Sequence, residues 1–540
     1  MNYFVNNNWS KIQYSNLNNA RMQGCSTVHF IFYCTALGLC STLLILSLWN
    51  FNIGSKTLRI HVLRFDRLQP LSHITSDKFL SFGLDTSLLR EMNELPLKHE
   101  KFINLGQHLS PAYIRIGGTS ADCLIFNKQM QQSYSKKILS PVDGQDITNF
   151  TISGIDLIAI YEFTMKSKLQ MIFDLNVLLR NSDGSWNNTN AQEIITFAKN
   201  HDMKLDWQLG NEPNSFKHVF NVTISATELA KDYDCLRQLL DEAGYIRSIL
   251  VGPEVNHVGD TDHMGEQYAK TFLESQKKIV NYVTWHQYYL NGREAKIQDF
   301  VNPVTFNYLP MQIKIMEDFI TASKKNVSMW LSETSTAFGG GAPELSDRFV
   351  AGFLWLDKLG YSASTGLNVV TRQSLFGGNY AMVSPDLTPN PDWWISVVYK
   401  QLVSEKVLKL VTPNNYGHVR LYAHCTSQQA LIDGVPAITI YGMNIDKVAV
   451  QINIPMLTIQ PSKILKILFY SLTADHLQSS YIKLNDEILK LRPNGNLPQF
   501  RPRILEPTNP IILPPYSMVF MVIHGIEVPA CSTKMYSQMQ

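Results

Sequence analysis

The sequence has no excess of charge of either sign. Lysine and arginine number 47 and aspartate and glutamate 45, so the formal net charge at pH 7 is +2. Charged residues make up 17% of the chain and apolar residues 45%, which is typical of a folded globular protein rather than a disordered one. A nucleic-acid-binding protein normally carries a basic field, so the balance of charge predicts no nucleic-acid partner.

Cysteine is also scarce, with seven residues in 540. Their spacing does not match any common metal-ligand pattern, and we predict neither a metal nor a cofactor. Three cysteines lie in or beside the apolar N-terminal segment described next, and the body of the chain holds Cys123, Cys235, Cys425 and Cys531. Cys425 and Cys531 both fall in the C-terminal region, where we predict that they pair in an oxidising compartment.

One segment, Val28 to Trp49, contains no Asp, Glu, Lys or Arg and is long enough to cross a bilayer. We take 28–50 as a signal peptide or a membrane anchor, preceded by a tail, 1–27, that carries Lys11 and Arg21. A clean Ala-x-Ala-like cleavage site is missing, so cleavage and anchoring both stay open, with a buried soluble helix as the remaining alternative. We predict entry into the secretory pathway, to a secreted, lysosomal or membrane-anchored state, with membrane contact only through this segment.

Asn-x-Ser/Thr triplets agree with a lumenal chain, although each alone is a weak signal. One such triplet starts at Asn8, in the tail, and the predicted glycosylation sites in the body are Asn149, Asn187, Asn221 and Asn326.

Short apolar runs recur between about Phe79 and Gln373, separated by segments with helical periodicity. The eight runs end at Asp85, Gly118, Asn176, Glu212, Glu254, Tyr289, Glu333 and Gln373. This pattern predicts an α/β fold, a (β/α)8 TIM barrel over 77–400 with its active site where the strands end. A polar stretch, 127–144, is predicted to be a short exposed linker loop, and its "SKK" is an ordinary turn or a protease site.

After about Lys400 the sequence pattern changes to strands with alternating apolar and polar residues and little helical periodicity. This alternation predicts a C-terminal β-sandwich over 401–530. The strand segment 58–76, before the barrel, alternates in the same way and is expected to join that sandwich.

Two glutamates, Glu212 and Glu333, end the fourth and seventh runs and would face each other across one barrel mouth. Hydrolysis of a glycosidic bond needs two such carboxyl groups, one protonated and one ionised. We predict that Glu212 is the acid, with a raised pKa, and that Glu333 is the nucleophile, about 5 Å away as retention requires. For either glutamate alone, a salt bridge or a helix cap is the alternative interpretation.

Three stretches, "LGNEPNSF", "WHQYYLNGR" and "WLSETSTAFGGGAPELSDRFVAGFLWLDKLG", resemble the heparanase family of endo-β-glucuronidases, family 79 of the glycoside hydrolases. The similarity runs from roughly Phe79 to Cys531. It implies a barrel with a C-terminal sandwich, retaining hydrolysis with Glu212 as acid/base and Glu333 as nucleophile, and a disulfide that matches Cys425 and Cys531. In this clan the position of Asn211 usually holds the sugar 2-hydroxyl, and that of Tyr288 orients the nucleophile.

The resemblance also implies further sugar-binding positions. They are Asp85, Thr119, Gly339, Gly340, Gln373, Gly378, Asn379 and Tyr380. Glycines let backbone N–H groups approach a uronic carboxylate, while a flexible hinge is the other interpretation of "GGG". The role of His286 stays open between tuning the catalytic acids and a hydrogen bond in the core.

The sequence departs from the family where basic clusters are expected for binding sulfates. His257, among acids, stands where arginines are expected, and Phe338 stands where the family often has Tyr; we retain both as substrate-binding candidates. Four cations remain as candidate contacts, with an ordinary surface or structural charge as the favoured alternative for each: Lys136, Lys137, Arg293 and Arg372. Among them Arg293 is retained as a substrate-binding candidate.

Heparan sulfate is the predicted glycosaminoglycan substrate. Because the basic lining is thin, hyaluronan stays as a rival, followed by exo-acting glucuronide hydrolysis. A catalytically silent glycan-binding protein is the alternative from another class, although such proteins usually lack one catalytic acid. The linker is far shorter than the one that vertebrate heparanases excise, so we predict activity without that cleavage.

Overall fold

The computed structural model describes Thr35 and residues 58–129, 137–140, 144–278, 280–412, 417–459 and 466–532. The predicted signal or anchor segment, apart from Thr35, lies outside the described residues, as do the tail with Asn8 and much of the predicted linker loop with Lys136. The chain divides into Met1–Leu58 and Arg59–Gln540, and the elements below belong to the second unit. In the described part of the chain, no helix is long and apolar enough to span a membrane.

Eight parallel strands form the central sheet. They are β1 (Leu80–Asp85), β2 (Tyr113–Gly117), β3 (Gln170–Leu175), β4 (Leu205–Leu209), β5 (Val251–Val255), β6 (Tyr282–Gln287), β7 (Ser328–Thr334) and β8 (Val370–Arg372). Hydrogen bonds join them in the order β4-β3-β2-β1-β8-β7-β6-β5. The N–H of Trp207 in β4 donates to the carbonyl of Ile249, just before β5, over 2.9 Å, so the two ends of the sheet meet. The predicted TIM barrel is confirmed.

One main helix follows each strand. The helices are α1 (Glu100–Gln107), α2 (Gly154–Lys166), α3 (Thr189–Asn200), α4 (Ala226–Glu242), α5 (Met264–Ser275), α6 (Tyr308–Ala322), α7 (Ala351–Ser364) and α8 (Pro391–Leu402). Local sequence fixes several starts: α2 and α4 each begin with a capping box, in which Ser153 pairs with Asp156 and Ser225 with Glu228. The strands between them read as apolar runs because helices cover the outside of the barrel.

Shorter elements connect this framework. Small parallel ladders join Leu124–Phe126 to Phe150–Ile152 and Leu290–Asn291 to Ala337–Phe338. Single turns of α-helix are Phe216–Val219, Pro303–Phe306 and Met456–Ile459. The 3-10 helices are Thr86–Glu94, Thr119–Cys123, Pro213–Ser215, Ile297–Val301, Gln428–Ala430 and Pro529–Cys531. Ile147, just after the predicted linker loop, donates its N–H to the carbonyl of Ile138 within that loop over 2.8 Å.

Two antiparallel-rich sheets form the C-terminal region. The larger contains His73–Ile74, Val403–Leu408, Val419–Thr426, Ala437–Asn444, Ser517–His524, Lys466–Thr473, Lys483–Leu484, Glu487–Ile488 and Arg503–Leu505. The smaller contains Arg59–Val62, Val450–Asn453 and Ile511–Leu513. An apolar core that includes Leu421, Ile452 and Leu513 lies between the sheets, as in a sandwich.

Alternation along Val419–Thr426 sets the contact between sandwich and barrel. Leu421 and its alternate neighbours belong to the sandwich core, while Arg420 and Tyr422 reach Asp357 of α7 over 3.3 and 2.7 Å. Cys425 forms a disulfide with Cys531 across the sandwich. Of the predicted glycosylation sites, Asn187 is half-buried and the rest are exposed: Asn149, Asn221 and Asn326.

Candidate active site

Glu212 and Glu333 both lie at the carboxyl-terminal end of the barrel, on strands that β5 and β6 separate. Glu333 is the last but one residue of β7. Glu212 follows β4 in a left-handed conformation, with φ of 57°. The N–H of Glu212 donates to the carbonyl of Glu254, at the end of β5, over 3.1 Å, which fixes this turn. One carboxylate oxygen of each catalytic candidate and one ring nitrogen of His286 all lie within 4.8 Å of one another. Such a short separation suits a retaining glycosidase, where about 5 Å is usual.

Glu333 is held as an ionised carboxylate. The hydroxyl of Tyr288 donates to its Oε1 and the guanidinium of Arg115 to its Oε2, each over 2.7 Å. Burial alone would favour the neutral acid, but the charges of His286 and Arg115 and the hydrogen bond from Tyr288 hold the pKa of Glu333 below its ordinary value. An ionised carboxylate at this place can act as a nucleophile.

His286 bridges two glutamates at the end of β6. Its Nδ1 lies 2.7 Å from Glu212 Oε1 and its Nε2 lies 2.9 Å from Glu254 Oε2. Burial lowers the pKa of the ring, yet the charge of Glu333 and the hydrogen bonds to Glu212 and Glu254 outweigh it and raise that pKa to about 10. The ring is therefore an imidazolium that donates to both glutamates. In that state it has no lone pair for a metal ion, and the group formed with Glu212 and Glu333 is a proton-handling site.

Arg115 is the second buried cation of the site. Besides Glu333, its Nε donates to Gln208 over 2.8 Å and its Nη2 to Asn211 Oδ1 over 2.7 Å. The same Nη2 lies 3.2 Å from Glu254. Arg115 thus links the nucleophile candidate to the asparagine that precedes Glu212.

Sequence reasoning missed Arg115 and Glu254, although both left a signal. Arg115 is a charged residue in the middle of the apolar run "AYIRIGG", where it needs buried partners. Glu254 ends the fifth run just as Glu212 and Glu333 end theirs. A third glutamate at a strand end predicts a third acid in the same mouth.

Two further buried acids, Asp174 and Asp122, lie close to these residues. Asp174, in β3, has its pKa raised well above the ordinary range by burial, and its Oδ1 has no hydrogen-bond partner among the described residues. Burial likewise raises the pKa of Asp122 to about 7, while its carboxylate accepts the N–H groups of Asn211 over 2.8 Å and Val177 over 3.1 Å. Asp122 thereby fixes the backbone on which Asn211 and Glu212 sit.

The predicted sugar-binding positions fall into a connected set on one side of Glu333. Gln373 donates to Asp85 Oδ2 over 2.7 Å, and the N–H of Asn379 donates to the carbonyl of Gly340 over 2.7 Å. Burial and the nearby charges of Asp85 and Glu333 raise the pKa of Tyr380 well above its ordinary value. The "GGG" and "GNY" loops therefore pack against each other, beside the nucleophile candidate.

Gly339 and Gly340 adopt positive φ values of 73° and 85°, and open space surrounds the point where a Cβ would be. Their backbone is exposed where a side chain would otherwise cover it. Phe338, on the short strand before them, is 51% exposed, and Gly378 is also exposed. Thr119, half-buried, opens the 3-10 helix after β2.

Other candidates do not join this set. The side chain of His257 is 57% exposed, and its ring contacts Asp260 over 2.8 Å. Arg293 and Lys137 are exposed. Arg372 is buried and forms an ion pair with Asp392 of α8 over 2.7 Å, so it is a structural charge and not a substrate contact. Of the described candidate cations, Arg293 and Lys137 are therefore exposed, while Arg372 is not available to a substrate.

Comparison with known proteins agrees with this architecture. Residues 86–360 match the family model described as glycosyl hydrolase family 79, N-terminal domain. The chain is 34% identical to the heparanase of Bos taurus over 517 residues, which covers 87% of this chain and 92% of that protein. It is 28% identical to the hyaluronoglucuronidase of Hirudo nipponia over 489 residues, covering 84% of this chain and 96% of that protein.

Among solved structures, the fold is similar to a 4-O-α-L-rhamnosyl-β-D-glucuronidase from Fusarium oxysporum. The TM-score is 0.64 at 14% identity, and the match covers 85% of this chain and 99% of that one. At this identity the likeness concerns the fold alone.

Proposed function

The chain belongs to glycosyl hydrolase family 79, and from this premise we propose that it is a retaining endo-β-glucuronidase that cleaves internal glucuronide bonds of heparan sulfate. The observation that carries the proposal is the pair Glu212 and Glu333, whose carboxylate oxygens lie within 4.8 Å of each other and of His286. This spacing supports direct attack by one carboxylate, because it is shorter than the separation of roughly 6.5–9.5 Å between the carboxyl groups of inverting enzymes.

In the first step, Glu333 attacks the anomeric carbon of the glucuronide. The bond to the leaving oxygen breaks while Glu212 transfers its proton to that oxygen, and a glucuronyl ester of Glu333 forms. Because His286 donates to Oε1 of Glu212, the transferable proton is carried by Oε2. Tyr288 and Arg115 hold both oxygens of Glu333, which orients the attack.

In the second step, Glu212 removes a proton from water, and the resulting hydroxide equivalent attacks the same carbon. The ester bond breaks, Glu333 returns as a carboxylate, and Glu212 regains its proton. Two inversions leave the anomeric configuration unchanged. Asn211, held by Arg115 and Asp122, is the proposed partner of the sugar 2-hydroxyl.

Hyaluronan is the second candidate substrate, and one observation favours it. Arg372, one of the candidate cations, is buried in an ion pair with Asp392, so it is not available to a sulfate group. The similarity to a hyaluronoglucuronidase over 84% of the chain keeps this candidate in place.

The two substrates are separated by incubating the purified chain with heparan sulfate and with hyaluronan and sizing the products. Short oligosaccharides from heparan sulfate alone support the proposal. Fragments from hyaluronan alone would show that hyaluronan, not heparan sulfate, is the substrate. The release of single glucuronic acid residues from either polymer would refute endo action. Binding without cleavage, unchanged by Glu333→Gln, would identify a silent glycan-binding protein instead.

We further propose that the chain acts in the secretory pathway, the lysosome or the extracellular matrix. The disulfide between Cys425 and Cys531 and the exposed triplets at Asn149, Asn221 and Asn326 support an oxidising, glycosylating compartment. Membrane contact is assigned, as a proposal, only to segment 28–50. Activity is expected from the intact chain, and inactivity until cleavage within 127–144 would contradict this expectation.

A further inference from the structure

Lys358, in α7, is a buried lysine without an acidic partner. Its side chain is 1% exposed, and it forms no ion pair within 4.0 Å among the residues that the structure describes. Lysine is rarely buried in this way because removing its charge from water is unfavourable unless it is paired. Its position therefore needs an explanation in the contacts it makes.

Lys358 contacts residues that directly follow Glu333 and Tyr288 in the sequence. Its Nζ donates to the hydroxyl of Thr334 and, over 2.9 Å, to the carbonyl of Ser335. Nζ also lies 4.5 Å from the centre of the Tyr289 ring. Thr334 and Ser335 come directly after Glu333, and Tyr289 directly after Tyr288.

Thr334 passes this contact on to β6. Its hydroxyl is hydrogen-bonded to the carbonyl of Gln287, which can only accept, so the hydroxyl proton points to Gln287 and the oxygen accepts from Lys358. Gln287 stands between His286 and Tyr288. The chain Lys358 to Thr334 to Gln287 thus joins the ends of β7 and β6, next to the contact between Tyr288 and Glu333.

We infer that Lys358 is a positioning residue, which fixes the end of β7 against the end of β6 and thereby sets Glu333 against Tyr288 and His286. The inference rests on the proposed function, because it takes Glu333 as the nucleophile. It assigns no contact between Lys358 and the substrate. A loss of this link would let the Tyr288 hydroxyl and the Glu333 carboxylate drift from their 2.7 Å contact.

Stability alone does not account for a lysine here. Burial and the charge of nearby Arg372 lower the pKa of Lys358 well below its ordinary value. The folded environment therefore disfavours the charged form of this lysine. A lysine buried without an acidic partner has a desolvation cost that an apolar residue of similar volume avoids, and this gain offsets the hydrogen bonds lost to Thr334 and Ser335. An unbranched apolar side chain such as methionine would therefore fit the same space without the amine.

The test compares turnover and folding in two substitutions along the link. For Lys358→Met we expect kcat to fall by at least about tenfold, KM to stay within about twofold and the thermal midpoint to stay unchanged or rise, because misplaced catalytic groups slow chemistry more than binding. Thr334→Val, which keeps the volume but lacks the hydroxyl, is expected to lower kcat similarly. Thr334→Ser restores the hydroxyl and is expected to keep kcat within about twofold.

Lys400→Met is the matched control. Lys400, in α8, donates its Nζ to the carbonyl of Pro111 over 2.6 Å, just before β2 and so at the opposite end of the barrel. We expect this variant to retain kcat. The double variant Lys358→Met with Thr334→Val should have the same kcat as the less active of the two single variants, because both substitutions break the same link.

Retention of kcat by a folded Lys358→Met, or an equal loss in Lys400→Met, would overturn the inference. Should Lys358→Met fail to fold, the pair Thr334→Val and Thr334→Ser decides, and equal kcat values for that pair also overturn it. Failure of the proposed function has a different result: Glu333→Gln then keeps its activity, whatever Lys358→Met does.

Discussion

Two regions of this molecule bury charge in opposite ways: the barrel mouth and the contact between barrel and sandwich. At the mouth, Arg115 and His286 are shared among several acids, and Glu254 Oε1 has no hydrogen-bond partner in the described part of the chain. At the contact, Arg420 pairs with Asp357 over 3.3 Å, and Tyr422 donates to the same carboxylate over 2.7 Å. Acids outnumber cations in the first region and match them in the second.

Two buried histidines show what this difference does. At the mouth, His286 is surrounded by carboxylates and its pKa rises to about 10. At the contact, His424 lies 2.7 Å from the carbonyl of Ser404, and burial lowers its pKa to about 4 despite that hydrogen bond. Burial therefore does not decide whether a histidine is charged; the groups around it do. A mouth rich in acids handles protons, while a matched contact stabilises the fold.

The largest expected effect separates the two regions by activity. Glu333→Gln should lower kcat by at least about 10⁴-fold, because the nucleophile is lost. The thermal midpoint should stay unchanged or fall, because a pKa held below its ordinary value means that the ionised Glu333 contributes to stability. Turnover of a glucuronide polymer and thermal unfolding of the same preparation measure both. A variant that unfolds at lower temperature with activity intact would reverse the assignment of the two regions.

The second prediction concerns the contact. Arg420→Met leaves Asp357 buried without its cation, which should cost about 3–5 kcal/mol of stability, while turnover per folded molecule at 25 °C stays within about twofold. Chemical denaturation followed by fluorescence measures the first quantity. Arg503→Met is the control, because Arg503 pairs with Asp486 at the exposed surface and should change little. Equal stability of both variants would show that the contact is not a stabilising pair.

A smaller effect is expected from Glu254, one of the three glutamates that keep His286 charged. Glu254→Gln keeps the size of the side chain and removes a negative charge, so the pKa of His286 should fall from about 10. The alkaline limb of kcat/KM should then move to lower pH. Histidine NMR signals, followed through the same titration, should show His286 losing its proton earlier than in the wild type. An unmoved limb with an unmoved signal contradicts this role of Glu254.

The smallest effect belongs to His424. Because its pKa is about 4 in the folded chain against 6.5 in a free side chain, the unfolded state binds more protons between these values. Stability should therefore fall as the pH drops from about 6.5 to 4, by at most about 1.4 kcal/mol per pH unit. His424→Gln should show a shallower dependence in pH-resolved denaturation. Parallel curves for the two proteins would mean that His424 does not titrate as described.

The comparison also explains what could be predicted from sequence. The barrel follows from apolar runs and helical spacing, and the sandwich from alternation, since both patterns are local. Glu212 and Glu333 were recognisable because each ends a run. Glu254 also ends a run and was overlooked. The roles of Arg115 and Lys358 depend on partners distant in sequence: Arg115 and Glu333 lie 218 positions apart.

The roles of some side chains were left open for the same reason. Arg372 ends a strand as a catalytic residue would, yet its partner Asp392 comes from the following helix and removes it from the cleft. The charge of His286 could not be read from "VTWHQYY", because it is set by three glutamates on other strands. Sequence patterns locate a strand end well, but only the fold gives the neighbours that decide a charge.

The most direct test of the account is to trap the covalent intermediate. A 2-deoxy-2-fluoro-β-glucuronosyl fluoride slows both chemical steps while its leaving group speeds the first, so the glucuronyl ester accumulates. Mass spectrometry of the digested protein should find one adduct on the peptide that contains Glu333, and none in Glu333→Gln. An adduct on Glu212, or turnover with inverted product and no adduct, would contradict the account.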